Sequence, residues 1–247
     1  MTSLNKKQTM SRVFAVLCLL TLFAVGPALP VNGQTPKADM PAVGTRSETF
    51  QVKNGPGVNV VVQSPPDMDA PLQIMCFFEY RDGESFTGAN VEADQKLHGL
   101  IQELRKSGKF TGRPLETLLI TPPDNTIQAR QLLLIGLGKP DDLSLDVMKS
   151  VGRVGMREAL RLGVGRYSHA SDLRDGGSEK FGVGEVARSV IEGALSAYTT
   201  EKELQGRGFT KSGRISNVTY LAGPKYFNET VQAVKTAVES AGSVAAR

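Results

Sequence analysis

The chain has 247 residues, with 29 Lys and Arg against 25 Asp and Glu, a net charge of +4, a hydrophobic share of 40% and two cysteines. That length suffices for one domain with a substantial core. So few cysteines exclude a disulfide framework or a cysteine-based zinc site.

Lys6, Lys7 and Arg12 precede an apolar stretch over residues 13–25, broken by Thr21 alone, followed by Gly26, Pro27, Pro30 and Val31-Asn32-Gly33. This is the layout of a cleavable signal peptide over residues 1–33, with the cut before Gln34 and a secreted or periplasmic product. The competing reading is an uncleaved N-terminal anchor, but the run is shorter than the roughly 20 residues a helix needs to span a bilayer. Cys18 lacks the small residues before it that a lipoprotein signal needs. Cleavage removes three cations and no acid, which leaves 26 basic against 25 acidic residues. The basic pI of 9.1 then belongs to the targeting segment. It calls for no nucleic-acid partner, and no membrane contact is expected after cleavage.

Residues 34–46 are polar with Pro and Gly and read as a flexible leader; 47–247 form the expected domain. Strands are predicted over 49–53 and 58–63, joined by Asn54-Gly55-Pro56-Gly57, a strong turn signal. A third, over 72–80, is apolar enough for the centre of a sheet. In it Cys76 reads as a buried small hydrophobe rather than a nucleophile. The spacing of Leu97, Leu100, Ile101 and Leu104 predicts one helix over 91–106. Strands over 115–121 and 130–135 come next. A second helix starts at Ser144, a good N-cap with Asp146 in the first turn, and ends at Gly163. Then follow a strand over 164–170, a Gly-rich loop, a helix over 185–198, a strand over 215–222 and a helix over 228–246. Strands alternating with helices predict an α/β fold with helices on both faces. The early strands, which lack intervening helices, make the sheet mixed.

Three motifs bear on chemistry. The Gly136-Leu137-Gly138-Lys139 turn ends an apolar strand, and such a turn can bring backbone N–H groups to a phosphate. No Ser or Thr follows Lys139, the third glycine of a dinucleotide fingerprint is missing, and Pro140 removes a donor. The plain reading is a tight exit from a central strand; Gly136, Gly138 and Lys139 stand as the candidate ligand residues. Lys149, Arg153, Arg157 and Arg161 recur every four residues and line one helical stripe, either a solvated face or a surface for an anionic partner. Ser168 and His169, with Asp172 nearby, are strand neighbours and point to opposite faces, so they form no nucleophile–base pair. His98 is expected at solvent or an edge. Two distant histidines make no metal cluster, and no catalytic motif appears, so no catalytic residue, metal or cofactor is assigned.

Several segments in order resemble the N-terminal domain of the leucyl aminopeptidase family. Gly108-Lys109-Phe110-Thr111-Gly112-Arg113 is similar to that family's Gly-Asp-Phe-Lys-Gly-Lys, and 133–139 to its strand and glycine turn. Glu192-Gly193-Ala194-Leu195-Ser196-Ala197-Tyr198 is similar to its Glu-Gly helix, and 239–247 to the helix leading into its catalytic domain. The resemblance covers about residues 49–247 and implies a macro-domain-like single domain that packs outside a hexameric core. The family's Asn-Thr-Asp-Ala-Glu-Gly-Arg signature, which belongs to the catalytic domain with its two metal ions, is not in this sequence. The resemblance therefore implies a non-enzymatic binding, assembly or regulatory module. Its partner is a second copy or a separate aminopeptidase subunit. The alternatives are a macro-like binder of a phosphate or nucleotide, and a truncated or split aminopeptidase.

Overall fold

The computed structural model describes residues 46–244 apart from Ser85 and Asp172. The expected signal peptide and its cut site, nearly all of the expected leader, Asp172 and the last three residues lie outside the described part. The strands are β1 (Ser47–Gln51), β2 (Gly57–Val62), β3 (Gln73–Phe77), β4 (Thr117–Ile120), β5 (Leu132–Gly136), β6 (Arg166–Ala170) and β7 (Asn217–Ala222). The helices are α1 (Gly88–Lys96), α2 (Leu100–Lys106), α3 (Leu145–Arg161), α4 (Val183–Gly206) and α5 (Phe227–Val244).

The strands form one sheet in the order β1-β2-β7-β6-β3-β5-β4. The five inner strands are parallel; β1 and β4 run antiparallel at the two edges. Every residue of β3 and β5 is buried. That explains their near-continuous apolar sequence, because both faces are covered there. Alternation along each strand sorts side chains by face. Val58, Val60, Ile74, Ile135, Val218 and Tyr220 face α3, α4 and α5. Met75, Phe77, Leu132 and Leu134 meet Ala93, Leu97, Ile101 and Phe110 on the other side. Each fully buried aliphatic side chain contributes about 1.5–3 kcal/mol.

The single helix predicted over 91–106 is two helices. His98 (φ 57°) and Gly99 (φ 83°) take the left-handed conformation, which breaks the turn. The Asp94 carboxylate reaches across the break to accept from Gln102 N at 3.1 Å. The apolar spacing hid the break because Leu97 and Ile101, on either side, are buried in the same cluster. The helix predicted over 185–198 extends to Gly206. Its added turns are polar, and Thr199 and Thr200 donate to the carbonyls of Leu195 and Ser196 four residues back. Ser144 caps α3 as expected, accepting from Val147 N at 3.2 Å.

α3 and α4 touch backbone to backbone. A methyl added at Gly152 would lie 1.9 Å from the Val190 carbonyl oxygen, and one at Gly193 would lie 1.9 Å from that of Lys149. No side chain fits between these turns.

Candidate functional site

The carboxyl ends of β2, β7, β6 and β3 open onto a crevice of about 350 Å³. The topology puts it there. The chain leaving β3 enters α1 on one face of the sheet, and the chain leaving the adjacent β6 enters α4 on the other. Such divergence at a strand-order switch leaves a gap beyond the strand ends.

The floor holds Cys76, Ser171 and Tyr220. Ser171 Oγ lies 3.2 Å from Cys76 Sγ and 2.6 Å from His169 Nε2, which itself sits 3.8 Å from the sulfur. His169 stacks on Tyr220 with ring centroids 5.9 Å apart. Burial lowers the His169 imidazole to about 3, so the ring is neutral. Its Nδ1 is buried without a hydrogen-bond partner. A buried lone pair is cheaper to leave unpaired than a buried N–H. The ring proton therefore sits on Nε2 and is donated to Ser171, whose hydroxyl proton turns to the sulfur. Burial pushes the Cys76 thiol up to about 12 against a smaller opposing effect of the Ser171 hydrogen bond. A neutral imidazole beside a protonated thiol is a packed floor, not an activated nucleophile.

The walls are acidic. Asp175 accepts from Ala89 N at 2.8 Å and so caps the start of α1. Glu92 accepts from the Ser64 hydroxyl and pairs with Lys96 at 3.6 Å. At α4, which Val183 brings to the crevice, Glu185 accepts from Gly182 N at 2.9 Å and Glu229 accepts from Gly184 N at 2.8 Å. Both helix N-termini that approach the opening thus already hold the chain's own carboxylates in the position an anionic ligand would take. Among the described lining residues there is no Lys or Arg.

The glycine turn lies elsewhere, at the carboxyl end of β5, beside the edge strand β4. The N–H groups of Gly136, Leu137 and Gly138 are bonded to the carbonyls of Glu116, Phe77 and Gly112. A methyl at Gly136 would sit 2.0 Å from the Arg113 carbonyl oxygen, so the 112–114 segment fills the concavity. Lys139 leads into a 3₁₀ turn over Pro140–Asp142.

The basic stripe divides. Lys149 and Arg153 are half-buried and line a second hollow with Arg188; Arg157 and Arg161 are exposed. Arg161 pairs with Glu158, three residues before it. Ser168 and His169 face opposite sides of the sheet, as their spacing requires: Ser168 donates to Gln73, while His169 Nδ1 lies 3.7 Å from where a Cβ at Gly155 of α3 would sit. His98 is exposed. Among the described residues no group of three or more His, Cys, Asp or Glu is placed to hold a metal ion.

Sequence reasoning missed Asn90, Ser171 and Asp175 because they are scattered and belong to no motif. For Ser171 the signal is positional: it directly follows the parallel strand β6, as Gln63-Ser64 follows β2 and Gly223-Pro224 follows β7.

A family model described as the cytosol aminopeptidase family, N-terminal domain, matches residues 74–203. A probable cytosol aminopeptidase of Thermosynechococcus vestitus is 31% identical over 137 residues, covering 53% of this chain and 25% of the relative. The chain spans between 17% and 35% of the length of the curated cytosol aminopeptidases it matches. Among solved structures, a tomato leucine aminopeptidase mutant is similar at a TM-score of 0.58 and 15% identity, over 82% of this chain and 38% of that one. The Oceanobacillus iheyensis macrodomain with ADP is similar at a TM-score of 0.51 and 14% identity, over 79% of this chain and 98% of that one. At these identities the structural likeness shows the fold, a macro-domain-like mixed α/β sheet.

Proposed function

Because this chain belongs to the cytosol aminopeptidase family through its N-terminal domain, we propose that it is an exported, non-catalytic binding module whose ligand enters the crevice beyond β2, β7, β6 and β3. The crevice carries this reading. Its volume of about 350 Å³ suits a small molecule, and a mostly apolar lining with a few convergent polar groups is the usual make-up of such sites. The solved macrodomain holds ADP, but the lining here argues for a different ligand. Asp175 and Glu92 bring carboxylates to the crevice wall, Glu92 pairing outside it with Lys96, and the described lining residues include no Lys or Arg to hold a diphosphate. The ligand class is an uncharged or amine-bearing compound with an apolar body.

Thermal shift with adenosine, ADP and a Leu-Leu dipeptide tests this. Adenosine or the dipeptide raises the melting temperature, ADP does so less than adenosine, and Ala170→Phe, which fills the crevice from the end of β6, removes the shift. A larger shift with ADP than with adenosine, surviving in Ala170→Phe, rejects the crevice as described. The non-catalytic part has its own test: purified protein resupplied with manganese or zinc releases no leucine from leucine amide, and measurable turnover overturns it.

A further inference from the structure

The hollow between α3, α4 and α5 lies on the outer, helical side of the sheet, away from the strand-end crevice. It has a volume of about 480 Å³. Lys149 and Arg153 enter it from α3 and Arg188 from α4, with Glu192 as the one carboxylate among its described lining residues. Leu195, Ala237 and Ala241 supply an apolar floor. The close approach of α3 to α4 at Gly152 and Gly193 sets this shape: the backbones meet, so the flanking side chains splay outward around a depression.

Glu192 organises the cations. One of its oxygens accepts from Lys149 Nζ at 3.1 Å and the other from Arg188 Nε at 2.7 Å. Burial alone raises the Glu192 carboxyl, but hydrogen bonds from Arg188 and Lys149 outweigh it and hold the group below its usual range. Among the described residues Arg188 is held through Nε, which leaves its two terminal nitrogens for a second acceptor. The Arg153 side chain hydrogen-bonds only to the Ser150 hydroxyl among the described residues, at 3.4 Å. Three cations against one carboxylate leave a net charge of +2 in a hollow where Lys149 and Arg153 are half-buried and Arg188 is exposed. A merely solvated face needs neither the apolar floor nor the carboxylate that pins two cations in place.

We infer that this hollow is a site for a small phosphomonoester with a short apolar body, its phosphate held by Arg153, Arg188 and Lys149. Fork-shaped guanidinium groups match phosphate oxygens, and pre-positioned cations lose little side-chain freedom on binding. The sequence marked only the α3 stripe; Arg188, from a helix more than thirty residues later, completes the set.

The test is a phosphorus NMR titration of the intact chain with phenyl phosphate, with inorganic phosphate in parallel. Phenyl phosphate binds saturably with a dissociation constant on the order of 1 mM or below. Inorganic phosphate binds more weakly, because it leaves the floor uncovered. Arg153→Gln and Arg188→Gln each weaken phenyl phosphate about tenfold, the loss of one charge-assisted contact. Arg161→Gln, on the same stripe outside the hollow, and Ala170→Phe, in the other crevice, leave it unchanged. Arg153 carries little of the fold, so its variant melts with the parent and the comparison is one of binding. Absence of saturation, or equal weakening by Arg161→Gln, overturns the site and leaves the strand-end crevice untouched.

Discussion

Arg105 is among the largest fully buried side chains of the described residues. It is 2% exposed, donates to both carboxylate oxygens of Glu84 and to the Phe78 carbonyl, and lies over the Phe77, Tyr80 and Phe86 rings. It ties α2 to the chain leaving β3. Removing one partner of a buried pair strands the other, so Arg105→Ala lowers stability by about 3–5 kcal/mol in urea titration. Arg105→Lys recovers little, since an ammonium lacks the fork. The crevice floor makes a pH prediction. His169 titrates at about 3 in the folded chain because it is buried, against 6.5 when exposed. Between those values the unfolded chain takes up a proton that the folded one refuses. Stability therefore falls as pH drops from 6.5 towards 3, with a slope approaching 1.4 kcal/mol per pH unit from this residue. His169→Phe keeps the ring against Tyr220 and removes that slope; an unchanged pH dependence of the urea midpoint counts against it. Cys76, raised to about 12 by burial, reacts with iodoacetamide only after unfolding.

Among the elements, the α3–α4 contact is the most sharply constrained. Gly193→Ala puts a methyl against the Lys149 carbonyl and costs about 1–3 kcal/mol or more, read as a lowered denaturation midpoint. The segment containing Gly193 was recognisable in the sequence by resemblance, but the reason for the glycine was not, because its partner Gly152 lies forty-one residues earlier. The strand cores and the cap at Ser144 were legible, since apolar runs and caps are local properties. The break at His98-Gly99 was not. Both halves bury their apolar residues in one cluster, and helical spacing alone cannot register a change of axis. The polar end of α4 was missed for the converse reason: no apolar stripe marks it.

At the scale of the whole molecule, α/β order and family resemblance were readable from segments in sequence, while both hollows were not. Each is assembled by topology from residues on three or more elements. Sequence motifs drew attention to Gly136–Lys139, whose amides the fold uses for its own hydrogen bonds. Export is a claim at this scale too: mass analysis of protein secreted from a suitable host should find Gln34 as the first residue, and a retained Met1 would contradict it. The proposed ligand site lies at the strand ends of β2, β7, β6 and β3. Amide chemical-shift mapping, run with both adenosine and the Leu-Leu dipeptide, is the decisive measurement. Perturbations confined to Ala89, Asn90, Ala170, Ser171 and Leu221–Gly223 are the expected result; silence there, or a response centred on Gly136–Lys139, would contradict it.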